Sequence, residues 1–157
     1  KVISNFRTMD MACGGSGAPL VPFANYVLYS NKKESIALQN IGGISNVTYL
    51  EKGKEIKDII AFDTGPGNVM IDYFVNKYFN KQYDENGDIA NDGDIIYPVL
   101  NKLLEDDFLK RMPPKSTGRE QYSSEFLEKF ASDNLFDQYD KKDIISTITE
   151  FTVRSIV

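Results

Sequence analysis

Between residues 35 and 62 the chain offers three short strand-like runs separated by glycine turns. Connections this short join antiparallel neighbours, because a parallel pair needs a crossover of a dozen or more residues. In SIALQNIGGISNVTYL, Ile36 and Leu38 alternate with smaller or polar residues, Gly42-Gly43 supplies the turn, and Val47 and Tyr49 alternate in the return strand. Lys52-Gly53-Lys54 makes a second turn, and IKDIIAF gives a third strand from Ile56 to Phe62. The meander ends at Asp63, the acidic residue of AFDTGPGN. A helix, VMIDYFVNKYFN, follows at once. Met70, Ile71, Phe74, Val75 and Tyr78 form its apolar stripe, and Asn68 stands where a capping residue would.

The remaining segments complete an α/β pattern. Residues 2–10 (VISNFRTMD) predict a short extended piece, followed by a small-residue loop, MACGGSGAP. A helix is predicted from about Pro22, with Phe23, Val27 and Leu28 at helical spacing. The second half predicts helices in DIIYPVLNKLLEDDFLKRM, SSEFLEKFASD and DKKDIISTITEFTVRSIV.

Composition removes several kinds of chemistry. Histidine is absent, so no His-based triad and no His-ligated zinc site can be built from these 157 residues. A single cysteine, Cys13, cannot form an internal disulfide and fits a reducing compartment. The net charge of −5, without a basic cluster, argues against a nucleic-acid surface. No run is long and apolar enough for a membrane span, and no leader pattern is present, so a cytoplasmic protein without a membrane partner is expected.

Four stretches could carry chemistry. NIGGISNVT is either an ordinary tight hairpin or one whose glycines let a phosphate approach the backbone. GGSGAP resembles a phosphate loop only loosely, lacking the Gly-Lys-Ser/Thr ending, and reads rather as a flexible joint before a helix. Asp63, at a strand end facing a glycine-rich opening, could be a magnesium ligand or a general base. PPKSTGRE gathers Lys115 and Arg119. It reads as a loop entering a helix, with Thr117 and Glu120 at capping-box spacing, or as a clamp on an anionic group. DENGDIANDGD departs from a calcium loop at its third and twelfth positions and reads as a solvated acidic turn.

Taken together, FRTMDMACGGSGAPLVP, LQNIGGISNVTYL, FDTGPGNVMID and PPKSTGRE resemble the anhydro-N-acetylmuramic acid kinases, bacterial members of the actin, hexokinase and Hsp70 superfamily. The resemblance implies a partial ribonuclease-H-like domain, a three-stranded antiparallel meander with a helical insertion. It implies that residues 1–19 are the tail of a first domain and an interdomain loop, and residues 20–157 the opening half of a second. ATP and Mg²⁺ are the implied cofactors and an anhydromuramic sugar the implied substrate. The metal has no ligand assigned within these residues. Asp63 becomes the catalytic carboxylate. Gly42, Gly43, Ser45, Asn46, Gly65 and Gly67 fall on the nucleotide side, and Arg7, Gly15, Asn40, Lys115 and Arg119 on the substrate side.

The same resemblance implies a middle portion of a longer bacterial enzyme, inactive alone, with a homodimer as the expected assembly of the whole, and the open edge of a partial sheet predicts self-association. A non-catalytic nucleotide-binding module of the Hsp70 kind is the competing reading. DTGPGN together with PPKSTGRE favours the kinase.

Overall fold

The computed structural model describes residues 5–14, 20–31, 33–118 and 120–157. Among them, three strands, β1 (Ile36–Ile41), β2 (Ile44–Leu50) and β3 (Ile60–Pro66), form one antiparallel sheet in the order β1-β2-β3. The helices are α1 (Phe6–Ala12), α2 (Val21–Tyr29), α3 (Val69–Phe79), α4 (Asp88–Asn91), α5 (Tyr97–Leu104), α6 (Asp107–Lys110), α7 (Ser124–Asp133) and α8 (Lys141–Ile156). The chain divides into two compact units. One comprises residues 1–38 and 47–61, the other residues 39–46 and 62–157.

In the first unit the predicted extended piece at 2–10 is corrected over its described part: residues 6–12 are helical. Asn5 Oδ1 accepts from the Thr8 N–H at 3.3 Å, which satisfies one of the amide groups a new helix leaves unpaired. Met, Arg and Ala, good helix formers, then carry the turn. Helix α2 begins as predicted, with Pro22 in its first turn. Its polar side is tied down. Asn25 Nδ2 donates to Thr48 Oγ1 at 3.1 Å, and the Tyr26 hydroxyl donates to the Lys54 carbonyl at 3.3 Å. Phe23, Val27 and Leu28, the apolar positions at helical spacing, are exposed.

The third strand also differs from expectation. Ile56–Asp58 forms a 3₁₀ turn closed by reciprocal hydrogen bonds between Glu55 and Asp58. The strand starts at Ile60 and runs on through Asp63 to Pro66. Asp63 is therefore inside β3, three residues before its end.

The second unit holds the apolar core. Met70, Phe74 and Val75 of α3 are fully buried with Ile144, Ile145, Ile148 and Phe151 of α8 and with Leu127 of α7. Phe74 also meets Phe136, their ring centroids 5.3 Å apart in a tilted arrangement. The single helix predicted over 94–112 is split. Asp106 accepts from the Phe108 N–H at 2.8 Å, so α5 ends and α6 starts at the Glu-Asp-Asp sequence.

The acidic stretch 84–94 is more structured than a solvated turn. Asp84 accepts from the Ile89 and Ala90 amides, both at 2.9 Å, and anchors α4 with Ile89 buried. The segment is then stitched to α8: Asp94 N donates to Asp143 Oδ1 at 2.8 Å and Ile96 N to Thr147 Oγ1 at 2.8 Å. Gly93 lies so close to this helix that a Cβ would sit 2.3 Å from the Lys142 carbonyl oxygen. Gly93→Ala should therefore destabilise the protein by about 2 kcal/mol, as overpacking against backbone does. Denaturant unfolding of the full-length protein checks this, and an unchanged midpoint would contradict the packing.

Candidate active site

The glycine hairpin between β1 and β2 meets the start of α3. The Gly42 carbonyl accepts from Asn68 N at 2.8 Å. The Gly43 carbonyl accepts from Gly67 N at 2.9 Å and Val69 N at 3.2 Å. These three amides belong to the helix start, where donors lack intrahelical partners. Two carbonyls thus do the work expected of Asn68. That residue occupies the cap position with φ −86° and ψ −6°, and its side chain makes no capping bond. The expectation for Asn68 is corrected accordingly.

Gly67 permits this contact. A Cβ there would lie 1.9 Å from the Gly42 carbonyl oxygen and 2.8 Å from Ser45 Oγ. Helix α8 supports the junction from below, with Thr152 Oγ1 donating to the Gly67 carbonyl at 2.9 Å in a buried bond. Gly65 is hemmed in by α8 and α6: its Cβ would meet Ser155 at 3.0 Å and Leu109 at 3.3 Å. Thr64 through Gly67 are buried.

Gly42 is different. The nearest atoms to a Cβ placed on it are Ile44 O at 3.7 Å and Asn40 Nδ2 at 3.9 Å, ordinary contact distances. Among the described residues, then, packing does not demand glycine at this position. Asn40 is exposed, and Asn46 is half-buried. Ser45 is fully buried, and its hydroxyl has no hydrogen-bond partner among the described residues.

Asp63 is bound to the 115–117 segment on both its main chain and its side chain. Its N–H donates to the Lys115 carbonyl at 3.1 Å. Its Oδ2 accepts from Ser116 Oγ at 2.8 Å and from Thr117 N at 2.9 Å. Among the described residues, both side-chain bonds fall on Oδ2 and none on Oδ1. Thr117 Oγ1 donates onward to Gln121 Oε1 at 2.6 Å.

The Thr117 hydroxyl is thereby engaged away from any helix start, and the next helix, α7, begins at Ser124 with Ser123 accepting from Phe126 N. The capping-box reading of Thr117 and Glu120 is corrected. Lys115 Nζ donates to the Phe108 and Leu109 carbonyls at 3.3 and 3.2 Å, closing the last turn of α6, and lies 4.8 Å from the Phe108 ring centroid. Burial, with the Arg111 charge adding to it, pulls the Lys115 ammonium below the usual lysine range.

The structure thus brings Asp63, Lys115, Gly42, Gly43, Ser45, Asn46, Gly65 and Gly67 into the second unit, together with Asn40 at the end of β1. Arg7 is exposed on α1 in the first unit. Gly15 and Arg119 lie outside the described residues. Ser116 and Thr117 are the functional candidates that a reading of PPKSTGRE for its charges passes over. The pair of hydroxyl residues inside the motif was the available signal.

A family model for anhydro-N-acetylmuramic acid kinase matches residues 1–157. The chain belongs to that family. The anhydro-N-acetylmuramic acid kinase of Clostridioides difficile strain 630 is 49% identical over 159 residues, covering 99% of this chain and 40% of that protein. The same-named kinase of Bacillus cereus strain AH820 is 51% identical over 158 residues, with the same coverage of 99% and 40%. The protein of that name from Bacillus anthracis matches equally, at 51% over 158 residues. The chain spans about two fifths of the length of these kinases.

Proposed function

We propose that the protein containing this chain is an ATP-dependent kinase of bacterial cell-wall recycling. It would open the 1,6-anhydro bridge of anhydro-N-acetylmuramic acid with water and phosphorylate O6. The observation that carries the reading is the Asp63 carboxylate, held through Oδ2 by Ser116 and Thr117 in a strand that leads into the Gly65-Pro66-Gly67 turn beside the glycine hairpin. Asp63 takes a proton from water as the water oxygen bonds to C1 of the sugar. The C1–O6 bond breaks, O6 bonds to the γ-phosphorus, and ADP departs.

The residues present fit a phosphate-bearing substrate. Among the described residues, Gly42 has no packing reason to be glycine and the buried Ser45 hydroxyl has no hydrogen-bond partner. Magnesium would neutralise the developing charge on the transferred phosphoryl group. Among the described residues no three His, Cys, Asp or Glu side chains converge. The sheet and helices are consistent with a portion of a ribonuclease-H-like domain with a helical insertion.

Two measurements on the full-length protein test this. ADP release should depend on the anhydrosugar, and the product should be the 6-phosphosugar by mass. ATP turnover indifferent to the sugar would favour a nucleotide-binding module instead. Gly42→Ala should leave the thermal midpoint within about 2 °C of wild type, because a methyl fits, yet raise the KM for ATP about tenfold by obstructing the phosphate approach. An unchanged KM would remove the hairpin from the nucleotide site.

A further inference from the structure

Asp63 must present one oxygen to water in a fixed direction, and a carboxylate on a single Cβ can rotate. Two donors limit that rotation here, and they differ in kind. The Thr117 amide, 2.9 Å from Oδ2, is part of the main chain and is itself half-buried. The Ser116 hydroxyl, 2.8 Å from the same oxygen, is on an exposed residue. An exposed side-chain hydrogen bond adds little to folding, since water replaces it at small cost. Its value must lie elsewhere.

The segment bearing these donors is anchored on both sides of Ser116. Upstream, the Lys115 carbonyl accepts from Asp63 N and Lys115 Nζ is tied to the Phe108 and Leu109 carbonyls. Downstream, the Thr117 hydroxyl is bonded to Gln121 at 2.6 Å. Ser116 is therefore delivered to Asp63 on a braced loop. Among the described residues both side-chain donors converge on Oδ2 and none meets Oδ1.

We propose that Ser116 is a positioning residue that fixes the rotation of the Asp63 carboxylate, so that Oδ2 is held and Oδ1 is the oxygen that receives the proton. This rests on the reading of Asp63 as the base. The Ser116 hydroxyl exchanges no proton with the sugar or water; it donates one hydrogen bond throughout. The Lys115 ammonium is turned to the α6 carbonyls. The strand bearing Asp63 carries no other titratable side chain.

The test uses full-length Ser116→Ala and Ser116→Thr, with Asp63→Asn beside them. Ser116→Ala should keep the wild-type thermal midpoint and ATP KM while kcat falls about tenfold, the effect of one orienting bond. Ser116→Thr, which retains the hydroxyl, should recover most of the loss. Wild-type kcat in Ser116→Ala, with Asp63→Asn inactive, would overturn the positioning role alone. A fully active Asp63→Asn would overturn the base assignment beneath it. A fall in kcat that tracks a lowered thermal midpoint and is not recovered by Thr would make Ser116 merely structural and also overturn the proposal.

Discussion

Asp63→Asn should lower kcat of the full-length kinase by about 10³-fold or more while leaving the protein folded and able to bind ATP. The magnitude follows from the worth of a positioned general base, about 10² to 10⁴, for a reaction in which water is the nucleophile. The fold should survive because an amide oxygen at the Oδ2 position still accepts from Ser116 Oγ and Thr117 N, as the carboxylate does at 2.8 and 2.9 Å. What the amide cannot do is accept the proton of water. Steady-state kinetics with a thermal-melt control separates the two effects. Loss of activity with a collapsed melting curve would instead assign Asp63 to structure, as the brace between β3 and residues 115–117.

The second large effect belongs to Gly67. Gly67→Ala should destabilise the protein by about 3 kcal/mol, at the upper end for overpacking, with much of it accumulating as insoluble protein on expression. The new methyl would stand 1.9 Å from the Gly42 carbonyl oxygen. The hairpin and α3 would have to separate, and the bonds from Gly67, Asn68 and Val69 to the two glycine carbonyls would be weakened together. On its other side the Gly67 carbonyl is tied to Thr152 in a buried bond, so the residue has little freedom to retreat. The contrast with Gly42 is informative. Of these two glycines of neighbouring motifs, the chain's own backbone requires only Gly67. A soluble Gly67→Ala protein with an unchanged unfolding midpoint would contradict the close approach.

These contrasts also show what the sequence could and could not reveal. Alternation and Gly-Gly punctuation were enough to place the β1-β2 hairpin. The 3.6-residue periodicity of Met70, Phe74 and Val75 was enough to place α3 and its buried side. The extended reading of residues 6–10 failed because a local cap at Asn5 competes with any strand pattern and leaves little periodic trace in so short a helix. The break between α5 and α6 was obscured for a related reason. The apolar period continues through it, and only the side-chain bond from Asp106 to the Phe108 amide interrupts the backbone.

At the site, Asp63 was legible as an acidic residue beside glycines. Its partners Ser116 and Thr117, more than 50 positions away in the sequence, were not. Long-range hydrogen bonds leave no periodicity. Charge drew attention to Lys115, whose ammonium the structure turns to carbonyls of α6. Asn68 illustrates the reverse error. Its residue type suits a cap, but tertiary structure supplied better acceptors, the carbonyls of Gly42 and Gly43.

The account depends most on water being activated at Asp63, and an oxygen label follows that water directly. Full-length wild type and Asp63→Asn would each be given ATP, Mg²⁺ and the anhydrosugar in ¹⁸O-water. Products would be sampled by mass spectrometry before the anomeric oxygen exchanges with solvent. Wild type should place ¹⁸O on C1 of a 6-phosphosugar, with no label in the phosphoryl group, and Asp63→Asn should yield neither ring-opened nor phosphorylated sugar above background. Label appearing in phosphate, or incorporation at C1 by Asp63→Asn at the wild-type rate, would contradict the assignment.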